Sequence, residues 1–285
     1  MQNDVKMKNI FISILILIPL IFILSCEEIP LVLADPLIPE SDKVVLIEEL
    51  TGASCPNCPK GSAAIENILN KYPDKVAVVA IHGDFLASPI PNRSKYDFRN
   101  KKANDLENWF RPWYGKPAAT TNRILTDDAQ EPYTISSPDL WQAQVENELQ
   151  KPHLLNLLMD IKYDSLTRKM EVEIAAIPLV ELNGNYNISV YITESGITDA
   201  QTNGGVIVDN YVHNHVLREM LTKFDGDNIG NNLQKSSILK RNYTYTLPPE
   251  SQGLWKASNI EVVAMVSRSS SSDRSVLQAV VKHLN

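Results

Sequence analysis

Residues 51–61 read TGASCPNCPKG, and two of the three cysteines in the 285-residue chain, Cys55 and Cys58, lie in this stretch. Three cysteines scattered at random would give this spacing only on the order of one time in fifty, so the C-x-x-C pattern carries information. Upstream, VVLIEEL (Val44 to Leu50) is rich in β-branched residues and exits through Thr-Gly, the pattern of a buried strand. Downstream, Pro59 to Tyr72 sets Ala63, Ala64, Ile65, Ile68 and Leu69 near helical spacing and stops before Pro73. The pair therefore sits where a strand turns into a helix. Cys55, at the exposed edge of the helix start, faces unpaired N–H groups and the positive end of the dipole, which favour a thiolate. Cys58, within the first turn and less exposed, suits the resolution of a mixed disulfide. Pro59 fits beside it because first-turn N–H groups have no helical partner.

A zinc site would need four ligands, or three and a water. The nearest histidine in sequence is His82, and there is no second cysteine pair. The pattern thus points to a disulfide, either catalytic or a structural clasp, and the compartment must allow it. The chain opens MQNDVKMKNIFISILILIPLIFILSC. Lys6 and Lys8 precede an apolar run, Ile10 to Leu24, that is shorter than the roughly 18–20 residues needed to span a bilayer. Residues 1–25 read as a signal peptide. Ile23-Leu24-Ser25-Cys26 resembles a bacterial lipobox, in which the cysteine is lipidated and becomes the mature N-terminus. Residues 26–42, with three prolines between Glu27 and Asp42, read as a tether away from the lipid. The folded part then lies outside the cytoplasm, where disulfides persist. The expected location is the outer membrane, lipid-anchored, facing the periplasm or the cell surface.

The chain carries 27 Lys and Arg against 34 Asp and Glu, a net charge of −7. Loss of Lys6, Lys8 and Asp4 with the signal peptide makes it about −8. With no block of basic residues, nucleic-acid binding is excluded as a leading idea. The mature length suits two domains. In the first, VAVVAIHG (Val76 to Gly83) is a second strand, and the strand–helix–strand order predicts parallel pairing and an α/β domain. A helix is expected over Asn104 to Trp113. Pro117 precedes a strand-like stretch. Ser137 is the expected N-cap of a helix that opens at Pro138 and runs to about Gln150. Lys151-Pro152 marks the boundary.

Beyond it come seven short alternating runs: Leu154 to Tyr163, Lys169 to Ile177, Tyr186 to Thr193, Tyr211 to Leu217, Tyr243 to Leu247, Ile260 to Ser267 and Val276 to His283. Asn183-Gly184 is read as a turn, and Thr193 to Asn210 and Asp225 to Arg241 as loops. Such a texture predicts an antiparallel sandwich. His213 and His215 would face one side of a strand, but no third metal ligand is near in sequence, so no metal or cofactor is expected.

LIEELTGASCPNCPKG resembles the active-site segment of thioredoxin-like proteins. The resemblance implies that Pro117 is their cis-proline, packed against the redox pair, and that Glu49 is the buried acid serving the resolving cysteine. More narrowly, EELTG-x-x-C-x-x-C-P, then GKPAATTNR, then YVHNHVLR together resemble the outer membrane protein twenty-eight-related lipoproteins. That family implies a thioredoxin-like domain (43–150) followed by an immunoglobulin-like β-sandwich (151–285). The implied activity is thiol–disulfide exchange on extracytoplasmic proteins, with a separate redox partner for turnover. Cys55 would attack, Cys58 resolve, Glu49 assist proton transfer and Pro117 shape the groove. The rival reading is a surface binding or adhesion lipoprotein whose Cys55–Cys58 bond is only structural.

Overall fold

β1 (Val45–Leu50) is buried at all six positions, and this sets the frame around it. A strand with no exposed face must be covered on both sides and paired on both edges. β2 (Val76–Ile81) pairs with it in parallel, Val45 opposite Val76, and β3 (Ala118–Thr121) pairs antiparallel on the other edge. The computed structural model describes residues 40–251 and 253–284. The expected signal peptide, the expected lipidation site Cys26 and nearly all of the expected tether lie outside the described residues.

Alternation along β1 sends Val45 and Ile47 to one face and Leu46 and Leu50 to the other. The first face packs against α1 (Cys58–Lys71) and α3 (Trp141–Gln150), through Ile65, Ile68, Trp141 and Val145. The second meets Leu106 of α2 (Lys101–Trp109), Phe110, Tyr191 and Met265. Cys58, Gly61, Ile65 and Ile68 form the buried stripe of α1. α2 begins earlier than the expected Asn104, because the Asn100 side chain accepts a hydrogen bond from Ala103 N at 2.8 Å. Ser137 caps nothing with its side chain; Pro138–Leu140 is a 3₁₀ turn leading into α3.

The second half is β4 (Leu155–Asp164), β5 (Lys169–Pro178), β6 (Leu182–Glu194), β7 (Ile197–Asn203), β8 (Val206–His213), β9 (Val216–Met220), β10 (Asp227–Leu233), β11 (Leu239–Thr246), β12 (Ile260–Arg268) and β13 (Val276–His283). β11, β5 and β4 form a three-stranded sheet, and β7 and β8 a two-stranded one. The largest sheet runs β13-β12-β6-β9-β2-β1-β3, with β10 also on β6. Strands of both halves thus share one mixed sheet, joined where Ala80 of β2 meets Val216 of β9. Alternate residues of β4 and β5 interlock with those of β6 and β12 in one apolar core. Overall the described chain is mostly β.

Three local expectations are corrected. Asn183-Gly184 lies inside β6: Gly184, at φ +103°, bends the strand without ending it. The expected loop Thr193 to Asn210 is mainly strand, with β7 and β8 turning at Gly204-Gly205. The expected loop Asp225 to Arg241 contains β10 and the start of β11.

Arg123, just past β3, is fully buried and forks onto Glu48 of β1, Nε to Oε2 at 2.7 Å and Nη2 to Oε1 at 2.6 Å. Nη2 also donates to Tyr191 Oη of β6 at 3.1 Å, tying the two halves together. Removing one partner strands the other charge in the core, which destabilises by about 3–5 kcal/mol. Glu48→Gln should therefore lower the urea midpoint strongly. The double change Glu48→Leu with Arg123→Met should recover much of the loss, and equal losses in both would show that the charge pair is not the cause.

Candidate redox site and its cover

Cys55 and Cys58 form a disulfide, with Cα atoms 5.4 Å apart. Cys58 is the first residue of α1, and Cys55 lies in the turn before it, its N–H bonded to Gly52 O at 3.1 Å. The strand-to-helix placement is as expected. The exposure of Cys55 is not: it is 0 % exposed and Cys58 1 %. The cover is β7. Gln201 Nε2 donates to Cys55 O at 3.0 Å and Gly52 O at 3.2 Å, while Thr202 N donates to Ala53 O at 2.9 Å and Gly204 N to Pro56 O at 2.8 Å. No sequence signal marked Gln201, because its polar surroundings read as loop. The Gly-Gly pair between two β-capable runs was the available clue.

Glu49 follows Glu48 on β1 and therefore points to the opposite face, toward α1. Gly61, one turn beyond Cys58, leaves room for it: a Cβ there would lie 2.6 Å from Glu49 Oε1 and 2.9 Å from both Pro117 Cβ and Trp141 Cη2. Glu49 and Pro117 are thus brought together beneath the start of α1. The Lys116–Pro117 peptide is cis, as is Arg111–Pro112. Burial pushes the Glu49 carboxyl up to about 8, opposed in part by the Lys116 ammonium. Its Oε1 has no hydrogen-bond partner. Lys116 is itself buried and held by Glu107 Oε2 at 2.6 Å, Thr51 O at 2.8 Å and Phe85 O at 2.7 Å. Burial lowers its pKa, and Glu107 offsets part of that.

The two histidines of YVHNHVLR do not share a face. His213 is buried, with its ring 4.8 Å from Phe98 and 6.2 Å from His82. His215 has a left-handed backbone, φ +55°, and its Nδ1 lies 3.3 Å from Glu261. Among the described residues no group of three or more His, Cys, Asp or Glu is arranged to hold a metal ion. Burial drives His82 well below the ordinary histidine range, aided by His213 and Lys116, and it lowers His213 to about 4. Both rings are neutral at pH 7.

Glu49, His82, Gln201, Tyr211 and His213 line a chamber of about 20 Å³. Glu49 Oε1, His82 Nδ1 and His213 Nε2 are all buried without a partner. By volume the chamber matches a single water. On its other side, Glu49 forms part of an open cleft of about 450 Å³ between α1 and β8, lined by Pro59, Ser62, Glu66, Tyr211 and Asn214. The second half therefore roofs both the disulfide and the acid beneath it.

The sequence model of the family described as outer membrane protein Omp28 matches residues 106–285, well over half of the chain. The chain belongs to the Omp28 family. Its location is the outer membrane. The Omp28 match includes Glu107, Lys116, Pro117, Gln201 and the YVHNHVLR segment, but starts after Glu49, Cys55 and Cys58. No protein of curated function matches in sequence. Among solved structures, the chain is similar to HBP35 of Porphyromonas gingivalis, with TM-score 0.66 and 16% identity over 86% of this chain and 77% of that one. It is also similar to an Agrobacterium tumefaciens protein, with TM-score 0.54 and 13% identity over 87% of this chain and 97% of that one. At these identities the likeness is one of fold.

Glu49 gives this Omp28 protein a pH signature. Its folded pKa of about 8 lies above the ordinary 4.5, so its contribution to stability is whole below about pH 4.5 and is lost as pH rises through 8. Relative to Glu49→Gln, the wild type should lose stability steadily across that window in urea melts at stepped pH. A difference that stays flat would mean that Glu49 is solvated.

Proposed function

We propose that this Omp28 protein is anchored through a lipid on Cys26 and exchanges disulfides with extracytoplasmic proteins. On this reading residues 43–150 are a thioredoxin-like domain and residues 151–285 an immunoglobulin-like one. The parallel β1–α1–β2 unit with antiparallel β3 supports the assignment of the first part. The observation that carries the function is Glu49. A structural clasp has no use for a buried carboxyl with an unbonded oxygen, which opposes folding. Disulfide exchange does.

A client thiolate attacks Cys55 Sγ, and a new S–S bond forms as the Cys55–Cys58 bond breaks. Cys58 sulfur leaves with the electron pair and takes the proton held by neutral Glu49. A second client thiol then attacks the mixed disulfide; the client departs oxidised and the protein reduced. A separate extracytoplasmic disulfide partner restores the Cys55–Cys58 bond. The reverse sequence reduces or isomerises clients. Pro117 packs against the acid and shapes the groove. No cofactor takes part.

One observation favours the rival reading of a surface binding protein with a structural disulfide: both cysteines are buried. Trapping separates the two. Cys58→Ala leaves the attacking thiol without its resolving partner, so it should hold clients as mixed disulfides through Cys55. The control is Cys55→Ala with Cys58→Ala. The reduction potential should lie above about −300 mV, the range below which structural bonds in secreted proteins fall. An empty trap together with a more reducing potential would remove the exchange reading in favour of the binding one. Separately, Cys26→Ala should release the protein from membranes; retention after a carbonate wash would mean that the apolar leader is itself the anchor.

A further inference from the structure

β7 is bonded along one edge to β8, and its other edge lies on the CPNC loop. Thr202 and Gly204, two residues apart, present their N–H groups on that edge to Ala53 O and Pro56 O. The Gln201 amide completes the contact through Gly52 O and Cys55 O. The rest of its anchorage lies at its base, where buried His213 of β8 packs on Phe98. In β7 only Ile197 and Ala200 are buried apolar residues. The Asp199 carboxylate accepts from Lys95 N at 2.8 Å and Tyr96 N at 3.0 Å, and an exposed ion pair joins Arg93 to Asp209. At the turn Val206 is 62 % exposed. A segment held mainly by main-chain polar bonds, with a small apolar footprint, belongs to the low-stability end of a fold.

We propose that the β7–β8 hairpin is a displaceable cover on the client-binding face, and that the client is an extended polypeptide segment which takes over the bonds of β7. The hairpin shows what fits: a strand offering N–H groups at i and i+2, the logic of strand addition. While the cover is down, neither a client nor a small thiol reaches Cys55 Sγ. When it lifts, the carbonyls of Ala53 and Pro56 become free for a strand whose own cysteine then lies over the disulfide. This inference rests on the exchange reading for its client but not for the motion.

The test uses the full mature protein. Reduction of the wild type by dithiothreitol, followed by alkylation and mass, should reach a ceiling as reductant rises, set by hairpin opening. Gln201→Ala removes the bonds to Gly52 O and Cys55 O and should raise that ceiling by about tenfold. Arg93→Ala, which alters only an exposed pair, should raise it less and guards against a misfolded Gln201 variant. Hydrogen exchange at the Thr202 and Gly204 amides should proceed through a local opening insensitive to low urea. A wild-type rate that climbs linearly with reductant and equals that of the variants would overturn the cover, as would exchange at these amides only through global unfolding. Adding Gln201→Ala to the Cys58→Ala bait should increase the client trapped. If the amides open locally while both baits stay empty, the exchange reading and its client fall and the mobile hairpin stands. If the baits fill while the amides open only globally, the cover falls and the exchange reading stands.

Discussion

Two adjacent glutamates in a fully buried strand are the constraint from which the rest follows. Strand alternation cannot place both on one face, so Glu48 and Glu49 enter two different cores. Each core must then neutralise a carboxyl or hold it protonated. On the Glu48 side the answer is a guanidinium. Arg123 meets the carboxylate with two parallel bonds and adds Tyr191 from the second half. On the Glu49 side no cation makes direct contact. Lys116, the nearest candidate, is committed to Glu107 and two carbonyls. The acid therefore stays neutral up to about pH 8, and its unbonded oxygen faces the chamber rim. One glutamate is structural and its neighbour is left chemically available.

The second half is as necessary to this arrangement as the first. β9 extends the sheet beyond β2 at a single paired position, Ala80 with Val216. That junction carries β7 and β8 out over the helix start, where Gln201 reaches the carbonyl of Cys55 and His213 closes the chamber. Without the second half, Cys55 would lose its cover, and the Glu49 carboxyl, still beneath α1, would meet water on its chamber side and shift back toward its ordinary range.

Much of the first half was legible because its signals are local. β-branched runs, helical spacing after Pro59 and the C-x-x-C pair each predict their own element, and Val45–Leu50, Cys58–Lys71 and Val76–Ile81 follow the reading closely. Gln201 was not legible. ITDAQTN lacks the apolar alternation of a strand with one wet and one dry face, because beyond Ile197 the edge of β7 packs against main-chain carbonyls. The burial of Cys55 was hidden for the same reason: it depends on a contact between residues 146 positions apart. Gly184 misled in the other direction, since Asn-Gly signals a turn locally while pairing with β10 on either side of it, Leu182 with Leu233 and Asn185 with Asn231, keeps the strand intact.

Disulfide and acid sit under the same hairpin, and that couples access to proton supply. With β7 in place, burial keeps the proton on Glu49, which sits against Gly61, one helical turn beyond Cys58. On the exchange reading, a client strand that takes the place of β7 keeps the carboxyl dry, and the leaving Cys58 sulfur takes this proton. Lifting β7 withdraws Gln201, and with β8 it can carry away Tyr211 and His213, so water reaches the carboxyl. Hydration favours the ionised form and lowers the pKa, turning the donor into an acceptor. An acceptor is what the reverse step needs, when the Cys58 thiol must lose its proton to resolve a mixed disulfide. On that reading the direction of exchange follows whether a client strand or water has taken the place of β7, and not the cysteines alone.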